Sequence, residues 1–261
     1  MSDDNEIIPG IFNYCDRWCQ RCPVTHRCLL ALQEAVDDAT SVGERDNETF
    51  WEELQRKFKE VREMVKDEFE ARGLTIGESE PDPEEVEAEA REERRRERRV
   101  ENHPCAKRSM AYATRSSEYL RDANVVESFA AHGWPIEKLR GESLEAGADE
   151  DFERIWNAVQ VIAWYQYQIA VKLQRAIDGI DDEDDEDIVA LPDYLRDSDG
   201  SAKVALIGID RSLAAWGEVR EMLPELGEEV FEIMLELDGV RRCAEAVFPD
   251  ACAVRRRGFE C

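Results

Sequence analysis

The chain has 261 residues, with 61 Asp and Glu against 34 Lys and Arg, for a formal net charge of −27. Such a charge repels phosphate backbones and anionic lipid, which excludes nucleic acid and membrane surfaces as general partners, while 43 % hydrophobic residues suffice for a sizeable core. No apolar run approaches the ~20 residues of a membrane helix, and the acidic opening MSDDNEIIPG lacks a signal-peptide pattern, so the expected location is cytoplasmic, where eight cysteines stay reduced as metal ligands or buried thiols.

Residues 1–28 hold four cysteines, with Pro9, Gly10 and Pro23, and show no clean period. From Arg27 to about Thr40 the pattern predicts a short helix, so 1–40 reads as a cysteine-rich metal-binding segment and 41–261 as a helical bundle domain. Asn47 offers a cap to a helix over 48–72, whose Trp51, Leu54, Phe58, Val61, Val65 and Phe69 fall at steps of three and four. That spacing predicts one buried stripe. An acidic linker near 74–84 leads to a charged helix over 83–100, with Glu87 and Arg91 at the favourable i,i+4 spacing. A further helix follows His103-Pro104 to about Arg121, and 124–148 is broken at Gly133-Trp134-Pro135. The strongest helical period spans Asp149–Ile177, through Ile155, Val159, Ile162, Ile169, Leu173 and Ile177. A second acidic linker covers 179–189. Its run DDEDDED lacks the ligand ladder of a calcium loop. Two more helices are expected, one from Asp199-Gly200-Ser201 to Glu221 and one from Pro224 to Val247. The fold class is all-α: an irregular multi-helix bundle preceded by an N-terminal cysteine-rich metal-binding loop.

The chemistry concentrates in YCDRWCQRCPVTHRC, where Cys15, Cys19, Cys22 and Cys28 stand at x3, x2 and x5 spacings. Four thiolates within fourteen residues can converge on one metal. His26 is a fifth possible ligand. Trp18 and Tyr14 could shield the site from water, and Arg17, Arg21 and Arg27 could offset thiolate charge. A [4Fe–4S] cube takes a close triplet and one further thiolate, which Cys15-x3-Cys19-x2-Cys22 with Cys28 supplies. Zinc, the alternative, commonly uses two knuckles separated by a longer spacer, and only one knuckle is present. A metal here could also serve only to staple the loop to the bundle.

The half Cys19-x2-Cys22-Pro23-x4-Cys28 resembles the C-x2-C-x5-C element of auxiliary iron–sulfur domains of SPASM type and of certain iron–sulfur nucleases. The resemblance implies an iron–sulfur cofactor and no activity, since no nuclease acid–Lys motif accompanies it. The whole opening also resembles that of a bacterial family with a YCDxWCxRCxxTxRC signature, matched by Tyr14, Cys15, Asp16, Trp18, Cys19, Arg21, Cys22, Thr25, Arg27 and Cys28. That resemblance implies a bacterial source and adds no mechanism.

Elsewhere, His103 and His132 lack the spacing of a di-iron bundle, and Trp156, Trp164 and Trp216 read as core. Gln166, Lys172, Lys203 and Asp210 are candidate catalytic residues: if their helices pack together, they could line a polar pocket for acid–base or Schiff-base chemistry. The commoner role of such residues is a buried hydrogen-bond network or ion pair that fixes helix register. A second metal set is conceivable from Cys105, Cys243, Cys252 and Cys261, although core packing explains Cys105 and Cys243 without metal. The functional expectation is a cytoplasmic helical protein carrying one [4Fe–4S] cluster for electron transfer, sensing or structural stapling, with a redox or other protein partner. The alternatives are a zinc-stapled enzyme with a pocket between the last helices, and an acidic adaptor that would need an exposed apolar patch.

Overall fold

The computed structural model describes residues 6–40, 47–71, 82–141, 148–180, 197–256 and 258–260. The run 181–187 and most of the linker near 74–84 lie outside them. Among the described residues there are helices and no strand, so the all-α expectation holds. The helices are α1 (Leu29–Thr40), α2 (Asn47–Ala71), α3 (Pro83–Asn102), α4 (Pro104–Tyr119), α5 (Ala123–Ala131), α6 (Ile136–Leu139), α7 (Glu150–Asp178), α8 (Asp197–Met222) and α9 (Gly227–Val247). None is long and apolar enough to cross a membrane.

Local chemistry sets several of these ends. At α4, Pro104 occupies the first turn and the His103 ring accepts from the Cys105 N–H at 3.2 Å. Asp122 caps α5 through the Asn124 N–H at 2.9 Å. Asp149 caps α7 through the Phe152 N–H at 2.8 Å, with Glu150, Asp151 and Glu153 in the first turn where the helix dipole favours acids. Between α5 and α6 the chain turns at Gly133, whose φ of 81° a side chain would oppose. Pro224 opens a 3-10 turn to Leu226, and α9 follows it.

The chain divides into two compact units, Met1–Ile7 with Thr25–Glu93 and Ile8–Val24 with Arg94–Cys261. The cysteine segment is thereby shared: Cys15, Cys19 and Cys22 belong to the second unit and Cys28 to the first.

In the first unit, α2 has the expected bounds within a residue, but the expected buried stripe is corrected. Trp51, Phe58, Val61 and Val65 are exposed, Phe58 by 66 %, and so is Met64. Periodicity reports which residues share a helix face; burial requires another element to cover that face.

In the second unit α4, α7, α8 and α9 form a ring, α7 packing on α4 and α8, and α9 on α8 and α4. All six predicted α7 positions, Ile155, Val159, Ile162, Ile169, Leu173 and Ile177, are buried in its core. Trp216 fills the centre and donates from Nε1 to the Tyr112 hydroxyl at 3.1 Å. Arg96 ties the end of α3 to α7 through the Asp178 carboxylate and, at 3.0 Å, its carbonyl. A disulfide joins Cys105 at the start of α4 to Cys243 near the end of α9, with Cα atoms 5.6 Å apart. This corrects the expectation of wholly reduced cysteines.

Candidate metal centre

The cysteine loop lies along α7 in reverse order. Arg21 Nη2 donates to Asn157 Oδ1 at 3.1 Å, with its guanidinium 4.1 Å above the Trp18 ring and 5.5 Å from that of Trp156. Trp18 stacks on Trp164 with ring centres 5.0 Å apart and meets Tyr165 edge-on. Asp16 is bound on both its polar groups. Its carbonyl accepts from Trp164 Nε1 at 2.9 Å and from Gln168 Nε2, while its carboxylate accepts from the Tyr165 hydroxyl, Arg211 Nη1 at 2.7 Å and the Trp18 N–H at 3.2 Å. Tyr14 ends the run against α8, where a Cβ on Gly200 would fall inside its ring. Non-cysteine residues of the motif are thus the anchors, and Tyr14 and Trp18 are buried.

The sulfurs occupy what remains. None of Cys15, Cys19, Cys22 and Cys28 is disulfide-bonded, and all four are half-buried. Cys15 Sγ donates to the Phe12 carbonyl at 3.4 Å. Burial pushes the Cys15 thiol up, against the opposing pull of the Arg17 backbone N–H and the charges of Lys172 and Arg17. Arg17 sits at φ 57°, a left-handed conformation that costs a non-glycine residue about 1 kcal/mol and turns the chain between Asp16 and Trp18. Cys19 opens a 3-10 turn whose carbonyl accepts from the Cys22 N–H at 3.2 Å. In the first unit, Cys28 precedes α1, Arg27 donates to the Glu6 carbonyl at 2.9 Å, and His26 is exposed. Of the three arginines expected to offset thiolate charge, Arg17 acts on Cys15, and Arg21 is taken up by the tryptophans and Asn157. Among the described residues, no three His, Cys, Asp or Glu side chains stand together as a ready metal-binding group.

The second cysteine set is corrected. Cys105 and Cys243 are bonded to each other, and a disulfide sulfur has no thiolate to give a metal. Cys252 is exposed, and Cys261 lies outside the described residues. Arg256, one of the basic residues nearby, pairs with Glu260 at 2.8 Å.

The four pocket candidates are likewise dispersed. Lys203 donates to the Cys252 carbonyl at 2.9 Å. Asp210 pairs with Arg241 of α9 at the surface. Gln166 stays on α7, where its Oε1 is buried with no hydrogen-bond partner among the described residues. Lys172 is buried and acts on Cys15. Two surface clefts, of about 640 Å³ near Arg220 and Phe231 and about 820 Å³ near Met110 and Gln174, contain none of the four. The polar pocket is therefore not assembled, because helical spacing gave Lys203 and Asp210 a common face without saying which neighbours that face meets.

Sequence reasoning missed Asn157, Tyr165, Gln168 and Arg211 as parts of the site; Trp156 and Trp164, read as core, pack against the core and also meet the loop. The available signal was the stretch WYQYQ, polar and aromatic within an apolar helix; such a helix face needs a polar partner. Comparison with protein-family models, curated proteins and solved structures found no match to this chain.

Proposed function

We propose that the N-terminal loop is a metal centre, a [4Fe–4S] cluster held by Cys15, Cys19 and Cys22 with Cys28 as the fourth thiolate, and that the protein serves electron transfer, sensing or stapling of the loop. One observation carries the reading. Asp16, Trp18 and Arg21, three of the residues between the cysteines, dock the loop on α7, whereas none of the four cysteines is disulfide-bonded. A loop pinned through its spacers keeps four thiols within fourteen residues, in a protein whose Cys105 and Cys243 have formed a disulfide. The donor chemistry fits an iron–sulfur cube or a tetrathiolate zinc. Cys28 enters through its sequence spacing. The reading requires the four sulfurs to meet at one centre when metal binds.

The test is elemental and spectroscopic, on full-length protein purified without air. About four irons and four sulfides per chain, with broad absorption near 400 nm, is the expected result. One zinc in a colourless protein would replace the cluster with the zinc alternative. Protein that neither retains nor accepts either metal would overturn the metal centre altogether.

One observation favours a second reading, that of an adaptor. The stripe Trp51, Phe58, Val61 and Val65 on α2 is an exposed apolar surface of the kind partner helices occupy. Replacing Phe58 and Val61 together by Ser should leave the melting temperature of the protein alone within about 2 °C, since neither side chain is buried. A large drop would show that the face is covered in solution and would remove it as a docking surface.

A further inference from the structure

The face of α2 that the fold leaves exposed is polarised in charge as well as in hydropathy. Phe58, Val61 and Val65 are exposed, and half-buried Leu54 leads into them. The row of the helix one residue further on, Gln55, Lys59, Arg62 and Lys66, is exposed too and holds no acid, although Asp and Glu number 61 in the chain. Lys57, Lys59 and Lys66 are three of its seven lysines. Exposed Glu52, Glu63 and Asp67 take the side of α2 away from the apolar row. Lys59 meets Glu63 at 3.9 Å along the helix, a pairing of exposed groups that water keeps weak and exchangeable. All of α2 falls within the first unit, so this face belongs to one body.

We infer that α2 docks a partner protein through a short amphipathic helix whose apolar row is edged by Asp and Glu. This rests on the adaptor reading above and gives that partner its chemistry. Charge chooses among the occupants of such a face. A second copy of α2 sets cation against cation in either direction. In a parallel pair with Phe58 and Val65 at a and Val61 at d, Lys57 at g meets Arg62 at e of the other strand, and in an antiparallel pair the basic row of each strand flanks that of the other. A bilayer is wide enough to meet the whole molecule, whose charge is −27, and it would seat both flanks of the helix, of which the second holds Glu60 beside Lys57. A single helix touches α2 alone. Charges act over about 8 Å at physiological salt, so such a helix feels the basic row and not the distant acidic surface. Its apolar side chains cover Phe58, Val61 and Val65, and its carboxylates face Lys59, Arg62 and Lys66.

The experiment uses full-length protein and two fluorescent synthetic peptides. Both are heptad repeats with Leu at a and d, and they differ only in carrying Glu or Lys at e and g, a like charge that also keeps each from pairing with itself. Anisotropy at about 0.15 M salt reads the binding, and the part lost on Phe58→Ser with Val61→Ser is the part made at the α2 face. There the Glu peptide should bind about tenfold more tightly than the Lys peptide, against the attraction of the acidic molecule as a whole for lysine. Lys59→Glu with Arg62→Glu should weaken the Glu peptide about tenfold, with circular dichroism confirming that the protein stays helical. If that variant loses helicity, Lys59→Gln with Arg62→Gln replaces it, and about threefold is expected. Equal binding of the two peptides at the face overturns the acidic partner and leaves the adaptor reading standing. Binding of neither overturns both. A parent that sediments as a dimer and becomes monomeric with Phe58→Ser and Val61→Ser gives the face to a second copy and overturns the inference. Flotation with phosphatidylserine-containing vesicles that the same variant abolishes gives it to lipid and overturns it equally.

Discussion

Asp16 is the residue on which attachment of the loop turns. Three hydrogen bonds converge on its carboxylate and two on its carbonyl. Asp16→Ala keeps the carbonyl contacts and removes the acceptor shared by Tyr165 and Arg211. The expected loss is about 2–3 kcal/mol, read from urea unfolding monitored by tryptophan fluorescence. A change below about 0.5 kcal/mol would show that the aromatic stack alone holds the loop. His103 is a residue whose titration is coupled to folding. Burial lowers its pKa while its ring accepts the Cys105 N–H. The unfolded imidazole titrates near 6.5, so below about pH 6.5 the unfolded chain binds the proton first. Stability from this group is therefore present above that pH and is lost as pH falls toward the lower folded value. His103→Asn keeps a capping oxygen and cannot titrate. Melting curves between pH 7.5 and 5 should fall less steeply for the variant, by under about 1 kcal/mol given the partial exposure of the ring. Parallel slopes would place the pH response elsewhere.

Among the elements, α8 is shaped by two close approaches. A Cβ on Gly200 would occupy the Tyr14 ring, and one on Gly208 would lie 2.9 Å from the Tyr165 ring. Alanine is the better helix former by about 1 kcal/mol, so propensity alone predicts that Gly200→Ala stabilises α8. The Tyr14 contact reverses the sign, and a net loss of about 2 kcal/mol is expected from overpacking. Thermal unfolding decides it: a raised melting temperature would mean that Tyr14 can leave α8 at no cost. In α2 the difficulty runs the other way. Its period is as regular as that of α7, yet α7 buries its stripe and α2 exposes most of its own.

For the whole molecule, the Cys105–Cys243 bond closes a long loop, with 138 residues of separation between its ends. Cross-linking so distant a pair restricts the unfolded chain and is worth about 3–5 kcal/mol. Cys105→Ala with Cys243→Ala should therefore lower the melting temperature by about 10 °C, and reductant should do the same to the parent. Unchanged melting on reduction would show that the helical ring carries its stability without the bond. Cys252, exposed and outside the disulfide, should react with iodoacetamide in metal-free protein ahead of the half-buried Cys15, whose thiol is pushed up by burial, as peptide mass mapping would show.

Taken alone, the sequence determined what depends on local spacing: the all-α class, the helix starts after His103-Pro104 and at Asp149, α7 and its six buried positions, and a cysteine loop at Cys15, Cys19, Cys22 and Cys28. Helix period and capping act over a few residues, so they are readable from residue order. Only the tertiary structure decided what meets across distance. It joined Cys105 to Cys243 instead of leaving them to a second metal set, gave Lys203 and Asp210 different partners, buried Lys172, and engaged Asp16 with Trp164, Tyr165, Gln168 and Arg211. The physical reason is that a periodic pattern specifies a face and not the neighbour that covers it. Which of two equally regular stripes becomes core depends on the packing of the whole ring.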